Sequence, residues 1–233
     1  MQILKSAVKM QIIITLIIVN VLVYMTYIVI NPPGYQVNYD NIDPVYYNSQ
    51  LESVIQDLPY YVIESLSMSG VEINIVSGKG RSLAETKDYV YTRLFEKSNT
   101  KSSEGTDDNK TSLGCYLPHS KQIYIFTDNI ELTKSNSNYS FGFSGILNHE
   151  LAHYIWHEIM TSEERQEIEA CFASEELENF CEFTGGTYCK TNAGEFFAEY
   201  MKYYLDPYYC STIDTWGTPR TQRVVEKILS KTE

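Results

Sequence analysis

Ser144-Gly145-Ile146-Leu147-Asn148-His149-Glu150-Leu151-Ala152-His153-Tyr154 is the stretch on which the reading of this 233-residue chain turns. Ile146, Leu147, Leu151, Ile155 and Ile159 recur at helical spacing and give an apolar side, and Ser144 is placed to cap the first turn. His149 and His153 are four apart. On a helix they stand one turn above each other, so both imidazoles can reach a single zinc ion. Glu150 is offset from His149 by about 100° and falls beside such an ion instead of on it, where it can take a proton from water. Two of the chain's 4 histidines lie in this HExxH. A chance match is the competing explanation, and the helical phase of the surrounding residues weighs against it.

A catalytic zinc needs a third protein ligand and an open fourth position. No histidine follows His157, which lies one further turn along, about 6 Å beyond His153. That distance is too great to share the ion, so the third ligand is expected to be a carboxylate. Glu163, Glu164, Glu167, Glu169, Glu175, Glu176 and Glu178 are on offer, but their pattern reads as a solvated helical face. Gly194-Glu195-Phe196-Phe197-Ala198-Glu199-Tyr200 is the better candidate. Thr191 or Asn192 caps that helix, its aromatic residues look core-like, and Glu195 and Glu199 share a face at i, i+4. Two carboxylates on an apolar side are costly to bury alone, and a metal for Glu195 with an imidazole N–H for Glu199 would satisfy both. Ordinary surface glutamates are the plainer alternative.

Tyr188-Cys189-Lys190-Thr191-Asn192-Ala193-Gly194-Glu195-Phe196-Phe197-Ala198-Glu199, 42 residues beyond His153, resembles the catalytic domain of anthrax lethal factor and related bacterial zinc metalloendopeptidases of the zincin type. The likeness is specific at the two motif segments, looser from about residue 49 onward, and does not cover the N-terminal apolar segment. It implies that His149, His153 and Glu195 bind one Zn2+ per chain and that Glu150 is the general base. It further implies that Tyr188 hydrogen-bonds the developing oxyanion and that Glu199 supports a ligand from behind. The cysteines at 171, 181, 189 and 210 depart from the family pattern.

Outward from these motifs, the chain reads as a small sheet followed by helices, an α+β plan. Ser49 and Glu52 form a capping box opening a helix with Leu51, Val54, Ile55 and Leu58 on one face, and Pro59 starts another through about Leu66. Val71 to Val76 alternates as a half-buried strand, and residues 82–94 read as helix. Residues 97–112 contain no apolar side chain and read as a surface loop. Residues 114–117 and 122–126 read as a hairpin whose edge could take an extended peptide as an added strand.

Residues 12–30 carry no charge and span roughly 28 Å as a helix, close to the hydrocarbon thickness of a bilayer. Lys5 and Lys9 on one flank predict a cytoplasmic N-terminus over 1–11, a membrane anchor over 12–30, a spacer over 31–47 and an extracytoplasmic zincin-like domain over 48–233. A cleaved signal peptide, and hence secretion, is the alternative, although no small-residue cleavage site follows the apolar run. A net charge of −12 without a basic run argues against nucleic-acid binding. The 5 cysteines contain no CxxC, and their spacing selects no disulfide pairing. The expected activity is cleavage of peptide or protein substrates. An inactive zincin-fold binding module and a zinc hydrolase of cell-wall peptides remain as alternatives, and nothing in the sequence fixes the oligomeric state.

Overall fold

Val71, Ile73 and Ile75 are fully buried while Glu72 and Asn74 between them are half-buried, the period-two pattern of a strand packed on one face. In the computed structural model, which describes residues 34–40, 42–77, 113–136 and 142–231, this strand is the second of four. They are β1 (Gln36–Asp40), β2 (Glu72–Val76), β3 (Gly114–Leu117) and β4 (Gln122–Phe126), in the order β1-β2-β4-β3. β1, β2 and β4 run parallel, with Ile73 opposite Ile123 and Ile75 opposite Ile125. β3 returns antiparallel to β4, with Tyr116 opposite Ile123, and ends the sheet among the described residues. The hairpin is as expected, and the sheet is small and mixed.

The helices are α1 (Pro44–Gln56), α2 (Tyr60–Ser69), α3 (Thr127–Asn136), α4 (Phe143–Tyr154), α5 (Ser162–Phe172), α6 (Glu175–Thr184), α7 (Ala193–Tyr204), α8 (Pro207–Cys210) and α9 (Pro219–Leu229). Gly70 ends α2 with φ +70°, a left-handed cap that glycine adopts without strain. The core joins Leu51, Val54 and Ile55 of α1, the inward isoleucines of the sheet, Leu147 and Leu151 of α4, and Phe196, Phe197 and Tyr200 of α7. α4 packs against α7 more extensively than any other described pair of elements, and it also contacts β3 and β4.

Several expectations change. Residues 36–40, placed in a spacer, form β1 and pair with β2, and α1 begins at Pro44 under the Asp43 cap instead of at Ser49. The domain unit accordingly runs from Tyr35, not from residue 48. Ser144 does not cap α4, which starts behind Gly142 with no side-chain cap. The acidic stretch from 163 to 178 is not uniformly solvated. Glu164 closes a capping box with Thr161 at the start of α5, and buried Glu176 accepts the backbone amides of Arg220 and Thr221, each at 2.8 Å, to anchor α9. The expected anchor over 12–30, the helix over 82–94 and the loop over 97–112 lie outside the described residues. Among the described residues, no helix is long and apolar enough to cross a membrane.

Candidate metal centre

α4 is buried nearly all round. Of its 12 residues only Ser144 and His153 are not fully buried. A helix so enclosed normally carries apolar side chains throughout. His149 and Glu150 are only 7% and 5% exposed, which is costly unless partners compensate. Those partners arrive on α7. Asn192 fixes its start, with its side-chain oxygen accepting the amide of Glu195 at 2.9 Å. Phe196, Phe197, Ala198, Tyr200 and Met201 lock it into the core, leaving Glu195 and Glu199 turned toward α4.

Nε2 of His149, Nε2 of His153 and Oε2 of Glu195 form a nearly equilateral triangle. The two nitrogens are 3.1 Å apart, and the oxygen lies 3.2 Å from the first and 3.3 Å from the second. Ligand atoms about 2.0–2.1 Å from a tetrahedral ion are separated by about 3.3–3.4 Å. Oε2 of Glu195 is buried, and no donor meets it at a hydrogen-bonding angle despite those short distances. Three ligand atoms converging at these distances, with the Glu195 oxygen left without a hydrogen-bond donor, fit a cation better than they fit one another. Among the described residues, His149, His153 and Glu195 form the group that could hold a metal ion.

The surroundings complete the arrangement. Glu199 Oε1 is 2.9 Å from His149 Nδ1, the ring nitrogen facing away from the triangle. Glu150 lies against β3 so closely that a Cβ on Gly114 would stand 2.7 Å from its Oε1, and the Tyr116 backbone amide bonds to it. Tyr188 sits in a short 3-10 turn (Tyr188–Lys190) with its ring 5.9 Å from that of His149. The residue as a whole is 56% exposed, while its hydroxyl reaches inward to Glu195. A disulfide from Cys181 at the end of α6 to Cys189 holds this turn, whereas Cys115, Cys171 and Cys210 are free thiols. His157 is not in the triangle. α4 widens into a π-turn over Ile155–Ile159, and the His157 ring lies 6.0 Å from that of Tyr116 on β3.

The electrostatics favour positive charge at the centre. Burial works against a charged His149, but Glu195 and Glu199 at its two nitrogens outweigh it and lift the imidazole to about 10. Burial likewise opposes an ionised Glu195, yet the two imidazoles pull its carboxyl well below the ordinary range. Burial raises the Glu150 carboxyl, with His149, His153 and the Tyr116 amide only partly offsetting it. Burial of the hydroxyl, then the charges of Glu195, Glu150 and Glu199, raise the Tyr188 phenol.

All six residues singled out in the sequence (His149, Glu150, His153, Tyr188, Glu195 and Glu199) therefore meet in one place. Two further residues escaped the sequence reading. Gly114 gave no signal, because its role is to be absent where Glu150 approaches. Lys202, whose Nζ contacts Glu199 at 2.7 Å, was detectable as a lone charge in the run Tyr200-Met201-Lys202-Tyr203-Tyr204.

The α+β domain thus brings two imidazoles of one buried helix and a carboxylate of a second into a group that could hold a metal ion, with a sheet edge alongside. The chain is a member of the family described as anthrax toxin lethal factor, N- and C-terminal domain, whose family model matches residues 19–213. A search of curated proteins finds no match.

Proposed function

We propose that this domain is a zinc-dependent endopeptidase that hydrolyses extended polypeptides outside the cytoplasm, tethered by residues 12–30. The observation that carries the reading is the triangle of His149, His153 and Glu195 with Glu150 standing beside it. Zinc held by those three residues would supply Lewis acidity, lowering the pKa of a water and polarising a carbonyl.

The chain's own groups account for the remaining work. Glu150 takes the proton of the attacking water and returns it to the leaving amine. Tyr188 donates its hydroxyl to the oxyanion. Glu199 accepts the Nδ1–H of His149, fixing the tautomer that leaves Nε2 free as a ligand. β3, an edge strand of the sheet among the described residues, passes directly beside Glu150, so a substrate segment added along it runs past the base.

The test is a comparison of the purified wild type with Glu150→Gln on a peptide library, with metal content measured in both. Expected are one zinc per chain in each and a loss of cleavage of about 10²–10⁴-fold in the variant. Stoichiometric zinc without cleavage by the wild type would support a binding module. Release of peptides from purified cell wall, with proteins left intact, would move the substrate class instead.

A further inference from the structure

One turn beyond Glu199 on α7, Lys202 is 9% exposed. Its Nζ donates to both carboxylate oxygens of Glu199, at 2.8 and 2.7 Å, and stands 5.3 Å from the centre of the Tyr203 ring. Glu199 Oε1 is in turn 2.9 Å from Nδ1 of His149, whose Nε2 forms one corner of the triangle. Three side chains thus run in series from an ammonium, through a carboxylate, to an imidazole.

An i, i+3 ion pair on a helix surface would need no special account. This pair is different, because both side chains are largely buried, at 11% and 14% exposure. Burying an ammonium is expensive, and an apolar residue could fill the same place in a helix rich in buried aromatic residues. The pair also borders a cavity of about 160 Å³ shared with Tyr188 and Cys189, so it lies on the site side of α7. A carboxylate held at one oxygen can swing about its terminal torsion, which is broad and soft. Held at both oxygens from behind, it can present Oε1 to Nδ1 in one orientation only.

We propose that Lys202 is a positioning residue of the metal centre, clamping the Glu199 carboxylate so that His149 is oriented with Nε2 toward the cation. This rests on the metal-centre reading above, and the experiment separates failure of the one from failure of the other. The full chain is prepared as wild type, Lys202→Met, Lys202→Arg, Glu199→Gln, the Glu199→Gln/Lys202→Met double variant, and His153→Ala. Zinc dissociation constants are measured by competition with a chromophoric chelator.

Wild type should bind one zinc and His153→Ala should lose it. Lys202→Met should bind about 10–100-fold more weakly, the range for groups that orient a ligand from behind. Lys202→Arg, whose fork also grips both carboxylate oxygens, should recover most of that loss. The double variant should bind no more weakly than Glu199→Gln alone, because the lysine acts only through Glu199. If Lys202→Met does not fold, the double variant removes both buried charges together and this last comparison decides. Wild-type affinity in Lys202→Met, or additive losses in the double variant, overturns the clamp alone. Failure of the wild type to bind zinc overturns the site reading and the clamp with it.

Discussion

Gly114 shows how much of the site depends on what a side chain is not. A methyl group there would lie 2.7 Å from Oε1 and 2.9 Å from Cγ of Glu150, and 3.0 Å from Cγ2 of Ile146. Cγ of Glu150 and Cγ2 of Ile146 lie close to the backbone of the buried α4, so the strain falls on the free end of the Glu150 side chain. Gly114→Ala should therefore displace the carboxylate without touching His149, His153 or Glu195. The expected result is a fall in kcat of about 10²-fold, the penalty for an ångström of misplacement, with zinc affinity nearly unchanged. Steady-state kinetics beside a chelator titration would check it, and a parallel loss of zinc would refute it. Nothing in Leu113-Gly114-Cys115 announces this constraint, because it arises only when β3 meets α4. His149, Glu150, His153, Glu195 and Glu199 were legible for the opposite reason, because helical spacing alone places each on a face, whereas Tyr188 was named only through the family resemblance.

At the scale of elements, the short turn that carries Tyr188 is held from two sides. Cys181–Cys189 ties it to the end of α6, and the Asn192 cap starts α7 three residues after the bridged cysteine. A bridge between cysteines 8 apart restricts the unfolded chain by about 2–3 kcal/mol. Replacing both cysteines with serine should remove stability of that order in a denaturant titration. Because the bridge flanks Tyr188 and not the triangle, kcat should fall while zinc affinity holds. Weakened zinc affinity with kcat intact at saturating zinc would reverse that assignment. Spacing could not single out this pair among 5 cysteines, since pairing depends on how α6 and the turn are brought together. The strands of the hairpin and α2 were readable from alternation, Pro59 and Gly70. β1 was not, because its partner β2 lies some 36 residues away in sequence and parallel pairing leaves no local turn signature.

Across the whole molecule, the acidic surplus conceals glutamates that hold the fold together. Glu164 is 4% exposed, accepts the Thr161 amide at 2.9 Å and takes Lys231 Nζ at 2.7 Å, joining the start of α5 to the chain's last described residue. Burial pushes its carboxyl up, but Lys231 and the Thr161 amide prevail and hold it below its ordinary value of 4.5. Its folded pKa lies under the unfolded one, so the stability it contributes is present above about 4.5 and drains away as pH falls through the lower folded value. Thermal unfolding followed from neutral to acid pH should show that decline in the wild type and a shallower one in Glu164→Gln. Identical slopes would remove Glu164 from the account. From the sequence this residue looked like one more solvated charge, because an acid in a capping box and an acid on an open face share the same local spelling.

The widened turn at Ile155–Ile159 has an effect well beyond the helix end where it occurs. A regular helix would keep His157 in line one turn above His153, away from the sheet. With a surplus residue wound into that turn, the tail of the helix is rotated away. His157 lands near the Tyr116 ring, and Glu158 receives the Tyr116 hydroxyl at 3.2 Å. The rod that presents the metal ligands thereby also buttresses the rim of the sheet. Excising a single residue there would rewind the tail by roughly a quarter turn and strip that rim of its brace while leaving the ligand pair itself intact.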